Sequence, residues 1–259
     1  MSKEKVLTLI GGLFVLALAS ALAIAFFAGG FSSDEDENPV SNQPEAVTDV
    51  SDSEVDPAIN LIKLYEDGKR DFQDLDLSGA DLSGNNLQGV NLNRTDLSGA
   101  DLSGTNLQDA SLNHADLRNT QLRGANLGQA SLRKAKMTGA DLSGASLHNA
   151  NFFEADLSGA DLSRTTLNGT DLSGTDLSDA NLSSAELFHS DLSNSNLRNA
   201  DITNASLDSL DLSGADLSNA DLGGATFYYV DLSGADLSGA NLKGITLEGT
   251  ELPLGVEAE

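Results

Sequence analysis

A chain of 259 residues has room for one or two ordinary domains, but its 5 % aromatic content sets it apart from an ordinary globule, and the absence of Cys excludes a disulfide framework, a thiolate nucleophile and any Cys-based metal site. Forty acidic against 14 basic residues leave a formal net charge of −26, which repels nucleic acid and anionic lipid and favours cationic partners, divalent ions or simple solubility.

Lys3 and Lys5 precede an uncharged apolar run from Val6 to Phe31. Its length exceeds the ~20 residues that span a bilayer and the 7–15 of a cleavable signal core. Residues 1–31 therefore read as a membrane anchor, inserted through residues 6–31. Ala19-Ser20-Ala21 resembles a cleavage site but sits inside the apolar run. A cleaved signal releasing an exported soluble protein is the alternative. Asp34-Glu35-Asp36-Glu37 come directly after the span, so the positive-inside rule places the amino terminus in the cytoplasm and the remainder outside it. Residues 32–56 hold nine acids, two prolines and no Lys or Arg; such a segment cannot bury enough apolar surface to offset its ordering entropy and reads as a disordered acidic tether.

Asp56-Pro57 then carries a helix-start signal, with Asp as cap and Pro at the first helical position. A helix within residues 57–70, with Ile59, Ile62 and Leu61 or Tyr65 on its apolar stripe and Gly68 at its end, would cover the open first coil of the repetitive region that begins at residue 71.

From Phe72 to Leu252 a large apolar residue recurs at every fifth position without interruption, 37 times, and it is Leu except at Phe72, Met137, Phe152, Ile202 and Phe227. Two residues earlier stands usually Ala or Thr, between them mostly Asp or Asn, and after the Leu mostly a small polar pair, as in Ala100-Asp101-Leu102-Ser103-Gly104. Period 5 matches neither the 3.6 of a helix nor the 2 of a plain strand. It fits a three-residue strand with Ala and Leu inward and Asp outward, closed by a two-residue turn, and so short a strand persists only stacked on copies of itself. Tandem A(D/N)LXX units over residues 71–252 resemble the pentapeptide-repeat family. The resemblance implies an all-β, right-handed quadrilateral β-helix in which four units make one coil and residues 20 apart stack. Thirty-seven units then give about nine coils and, at ~4.8 Å between strands, a rod ~43 Å long. Residues 253–259 form a carboxy-terminal tail.

Twenty of the 40 acids occupy the slot before the apolar residue, so much of the acidity belongs to the repeat. Residues 72–136 carry seven acids and six bases, whereas residues 137–252 carry 18 acids and three bases. Arg118, Arg123, Arg133, Lys134 and Lys136 form a band before that boundary; Lys136 is expected to pair with Asp116 and Asp156, and Arg94, His114, Lys134 and Glu154 share a column. In the family register His148, Phe188, Asp208 and Tyr228 share one outward column, with His189 and Tyr229 beside it. Exposed aromatic patches mark interfaces, which makes these six residues the candidate interaction patch. Self-association through the carboxy-terminal coils is what the resemblance implies.

The three histidines show no metal spacing, the serines repeat in identical Ser-Gly turns, and Asp74-Leu75-Asp76-Leu77-Ser78-Gly79 imitates a calcium loop only as a by-product of the repeat. No catalytic residue, cofactor or metal is expected, and no direct nucleic-acid binding. The expectation is a membrane-tethered, non-enzymatic scaffold that displays an acidic rod outside the cytoplasm to a protein partner. The alternative, open only to a cytoplasmic rod, is a DNA-mimic inhibitor of a DNA-binding protein such as DNA gyrase, which the resemblance suggests.

Overall fold

A computed structural model describes residues 56–256. The anchor expected at 1–31, the tether up to residue 55 and residues 257–259 lie outside the described residues. Among the described residues no helix is long and apolar enough to cross a membrane.

Helix α1 spans Pro57–Glu66, shorter than the 57–70 segment expected for it. The Asp56 side chain accepts from the Ala58 N–H at 2.9 Å, with Pro57 in the first turn, where its missing N–H costs nothing. Gly68, at φ 95°, carries the chain out of the helix through the left-handed region. Ala58 and Leu61 are buried against the first coil, with Ile62, Leu64 and Tyr65 packed partly over it. The expectation for Ile59 is corrected: it is 60 % exposed, because the helix rests on the edge containing Ala58 and Leu61.

Beyond the helix the chain winds as a quadrilateral β-helix. Asp81 bridges Asp101, Asp101 bridges Gln121 and Gln121 bridges Asp141, always 20 residues apart and parallel. Nearly every repeat contributes a single bridging residue rather than the expected three-residue strand, since the turn begins directly after the apolar residue.

One repeat shows why the sequence takes this form. Asp101 N–H donates to Ala80 O in the preceding coil; Leu102 and Gly104 N–H donate to Gln121 O and Arg123 O in the next. Thr105 N–H closes the turn on Leu102 O, and the remaining amide, Ser103 N–H, donates to Asp101 Oδ1 at 2.9 Å. All five donors are thereby satisfied, and the Asp slot supplies the acceptor that backbone geometry leaves out. Hydroxyl and amide bonds from Ser78 and Ser83 hold the Asp76 and Asp81 carboxyls below the ordinary carboxylate range. At Ser111 and Ser131, which replace Asp, a side-chain amide oxygen one coil back takes over: Asn113 N–H donates to Asn93 Oδ1 and Arg133 N–H to Asn113 Oδ1.

The core is a ladder of fully buried Leu, with Met137, Phe152 and Phe227 filling the same slots. Each side chain contributes about 1.5–3 kcal/mol on burial, so this ladder dominates stability. Thr at the small inward site stays satisfied through a carbonyl, as where Thr105 Oγ1 donates to Leu82 O at 2.8 Å. Three of the bulky residues at that site, Val90, Leu210 and Val230, are buried in one column, whereas Leu75 and Ile245, in other columns near the two ends, are only partly buried.

Candidate functional site

With residues 20 apart stacked, the chemistry of each outer face is set by which residue types recur at that spacing. Three of the four bridge ladders are rich in Asp, including the run Asp171, Asp191, Asp211, Asp231. The fourth reads Asn86, Asn106, Asn126, Ser146, Thr166, Glu186, Ser206, Thr226, Thr246, with a single acid.

On this fourth face the last coils open into true strands: β1 Glu186–Phe188, β2 Ser206–Asp208, β3 Thr226–Tyr228 and β4 Thr246–Glu248, parallel and in that order. None of the four begins with Asp or Asn, so none has the short acceptor that pins the following amide into a turn. Phe188 N–H instead donates to Asn168 Oδ1 at 3.1 Å, one coil back. Loss of the acceptor permits the opening without forcing it, since Ser146 and Thr166 also lack it and keep the turn.

The opening sets Phe188, Asp208, Tyr228 and Glu248 on consecutive rungs, ring alternating with carboxylate. Leu187, Leu207 and Phe227 point inward on the same strands and are buried. Tyr229, next to Tyr228, is 66 % exposed, and its ring edge lies where a side chain on Gly249 would stand. His189 and Tyr229 sit at φ 55° and 52°, positions that glycine fills in many other repeats, and their N–H groups donate to Asp208 O and Glu248 O. Ser209 Oγ donates to Asp208 Oδ1 at 2.8 Å, and among the described hydrogen bonds none engages Oδ2.

Five of the six residues singled out from the sequence therefore converge: Phe188, His189, Asp208, Tyr228 and Tyr229. His148 belongs to the same column but stands two coils, about 9.6 Å, before Phe188, with Asn168 between them. Its ring turns towards Gly128 on the preceding coil, and its Nδ1 lies 2.9 Å from Ser146 Oγ. That contact joins neighbours on one face, and among the described hydrogen bonds no carboxylate orients the ring, so it lacks the third member of a nucleophile–base arrangement. Sequence reasoning missed Glu186 and Glu248, although the 20-residue spacing from Tyr228 reaches Glu248 directly.

The basic band is mostly neutralised within the rod. Arg118 pairs with Asp116 and Arg123 with Asp141, both at 2.6 Å, and Lys134 with Glu154 at 3.0 Å within its expected column; Arg94 pairs with Asp74, one coil earlier in that same column. The Arg118 side-chain bond, together with the backbone bond and charge around it, holds the Asp116 carboxyl below its ordinary value despite partial burial. The ion-pair rung expected of Lys136 does not form: Asp116 is taken by Arg118, and Asp156 Oδ2 accepts from Thr138 Oγ1 at 2.9 Å. Arg133 lies over the Phe153 ring, 4.7 Å from its centroid.

A hollow of about 380 Å³ lies under α1, lined by Asp56, Pro57, Asp76, Leu77 and Asp81, well away from the aromatic face. Among the described residues no group of His, Asp and Glu has the arrangement of a metal site.

A family model for pentapeptide repeats matches the chain in eight copies that together span residues 71–252. Among solved structures, HetL, a pentapeptide repeat protein involved in heterocyst differentiation regulation from the cyanobacterium Nostoc sp. strain PCC 7120, is 35 % identical; the match covers 76 % of this chain and 97 % of HetL at a TM-score of 0.57. QnrB1, a plasmid-mediated fluoroquinolone resistance protein, matches at 19 % identity over 66 % of this chain and 88 % of its own, with a TM-score of 0.45. The pentapeptide repeat protein alr5209 from Nostoc PCC 7120 is 36 % identical over 40 % of this chain and 79 % of its own, at a TM-score of 0.25. No curated protein matches the chain. The coil register and the repeat match over more than half of its residues agree, and the chain belongs to the pentapeptide-repeat family.

Proposed function

We propose that this protein is a non-enzymatic interaction module: a rigid acidic rod, tethered to a membrane through residues 6–31 and the acidic segment after them, that presents one face to a protein partner outside the cytoplasm. The observation that carries the reading is the outward ladder of Phe188, Asp208, Tyr228 and Glu248 with exposed Tyr229 beside it, on a rod whose other ladders are polar and acidic. Aromatic side chains held on a rigid scaffold dock at low entropic cost, which suits recognition rather than turnover. HetL, 35 % identical, is described as involved in heterocyst differentiation regulation, which supports a regulatory role.

Self-association through the carboxy-terminal coils is part of the same proposal. The amino-terminal end of the core is covered by α1, whereas at the other end Leu247 is 37 % exposed and Leu254 fully exposed, with Leu252 and Val256 only partly buried. Apolar side chains exposed at a solenoid end become buried when a second copy stacks on it.

Two measurements test the proposal. Protease added to intact cells, to cells with only the outer barrier opened, and to lysed cells should cleave the rod once that barrier is opened. Protection until lysis would place the rod in the cytoplasm and overturn the topology; a gyrase supercoiling assay would then decide whether the rod inhibits that enzyme. For the interaction itself, a photo-crosslinking residue at position 229 should capture a defined protein partner that the same residue at position 191, on an acidic ladder, does not. Equal capture at both positions would sink the assignment of the face.

A further inference from the structure

The chain contains its own comparison for what an outward ring on this rod binds. Among the described residues, Tyr65 holds the Arg70 guanidinium 3.8 Å from its ring centroid, and Phe153 holds that of Arg133 at 4.7 Å. Phe188, Tyr228 and Tyr229 form no such contact. The reason is visible in the register: the three bases of residues 137–252 are Arg164, Arg198 and Lys243, and none falls on the face of β1–β4. Arg198 is engaged on another face, with Asp216 at 3.3 Å.

The carboxylates point the same way. Asp208 stands between Phe188 and Tyr228, Glu248 follows Tyr228, and Glu186 begins β1. A guanidinium is planar; it stacks on a ring face while donating in its own plane to a carboxylate. Rungs that alternate ring and carboxylate, about 4.8 Å apart, offer both contacts to one side chain, and among the described hydrogen bonds none engages Asp208 Oδ2. A neutral ligand would leave three carboxylates without counter-charge, and a second copy of this acidic rod would bring like charge to the same face.

We propose that the face formed by Phe188, Asp208, Tyr228, Tyr229 and Glu248 binds an extended, arginine-bearing segment of a partner protein, with guanidinium groups stacked on the rings and paired with the carboxylates between them. The proposal rests on reading the rod as an interaction module and names the chemistry of its partner. Arginine is favoured over lysine, because an ammonium cannot stack and pair in the same planar manner. Binding weakens with salt, as charge-assisted contacts do.

The chain has no Trp and only three Tyr, two of them on this face, so tyrosine emission reports the site without a label. Full-length protein in detergent is titrated with a peptide alternating Arg and Gly, and with its Lys counterpart. The expected result is an emission change with Arg peptide binding at least tenfold tighter than Lys peptide. Tyr229→Asn, which suits the left-handed backbone there, combined with Asp208→Asn should weaken the Arg peptide tenfold or more by calorimetry. The pair Asp191→Asn and Asp211→Asn, on an acidic ladder, should weaken it less than threefold. Circular dichroism of each variant establishes that the coil is intact.

Equal weakening by both pairs, or equal affinity for Arg and Lys peptides, would mean bulk attraction to an acidic rod and overturn the proposal. So would a concentration-dependent rise in mass abolished by Tyr229→Asn, which would make a second copy the occupant. A partner captured at position 229 that binds without any arginine would leave the interaction module standing while overturning this assignment of its chemistry.

Discussion

Truncating one rung of the Leu ladder should cost far more in the middle of the rod than at its last carboxy-terminal coil. Leu157 is wholly buried, and the slots 20 residues to either side hold Met137 and Leu177. Leu157→Ala removes three carbons, a transfer loss of about 2.4 kcal/mol at ~0.8 per methylene. The neighbouring rungs cannot close the gap: Met137 N–H to Asp156 O and Leu157 N–H to Asp176 O, each 2.7 Å, fix the backbone on both sides. The cavity penalty therefore stays, and the total reaches about 3–5 kcal/mol. Leu247→Ala removes the same atoms from a side chain already 37 % exposed; solvent fills the space, and about 1 kcal/mol is expected. Equilibrium urea unfolding monitored by circular dichroism, with equal m-values, gives the comparison. If Leu157→Ala costs no more than Leu247→Ala, the claim that a rigid interlocked ladder dominates stability is wrong.

Other substitutions and conditions probe the remaining links. Deleting residues 141–160, one complete coil, should leave the far-ultraviolet spectrum per residue unchanged, whereas one residue inserted after Leu157 should disrupt it severely; an unchanged spectrum after the insertion would refute the register argument. His189→Gly relieves a left-handed backbone at φ 55° and should raise stability by roughly 1 kcal/mol, read as a higher urea midpoint. The Asp76, Asp81 and Asp231 carboxyls are held low by hydrogen bonds from Ser78, Ser83 and Ser233. For Asp156 burial acts upward, but bonds from Ser158 and Thr138 outweigh it. A folded-state value below the unfolded one means stability that is present above the ordinary carboxylate range and lost as pH falls through the folded value. Stability should thus hold from neutral pH down to about pH 4 and decline below it, as an acid-unfolding titration would show. Arg94→Ala breaks an exposed pair with Asp74 and should change stability by less than about 1 kcal/mol.

The repeat made the fold legible because every requirement of the coil is local and recurs. An inward Leu, a small residue beside it, an Asp to accept the amide two positions on and a left-handed corner all fall within five residues. Periodicity alone therefore established the solenoid, its inward and outward positions and its extent, and the family resemblance added the four-unit coil. With that coil, the spacing of 20 put Phe188, Asp208 and Tyr228 in one column. The tertiary structure decided what depends on contacts between coils. It showed that the fourth face opens into strands at Glu186, Ser206, Thr226 and Thr246, where the local acceptor is missing. It turned His148 away towards Gly128, gave Asp116 to Arg118 instead of Lys136, and rested α1 on Ala58 and Leu61 with Ile59 outward. Those outcomes hang on side-chain geometry, much of it among residues 18 to 23 apart in sequence, where competing partners lie within reach and a five-residue pattern cannot rank them.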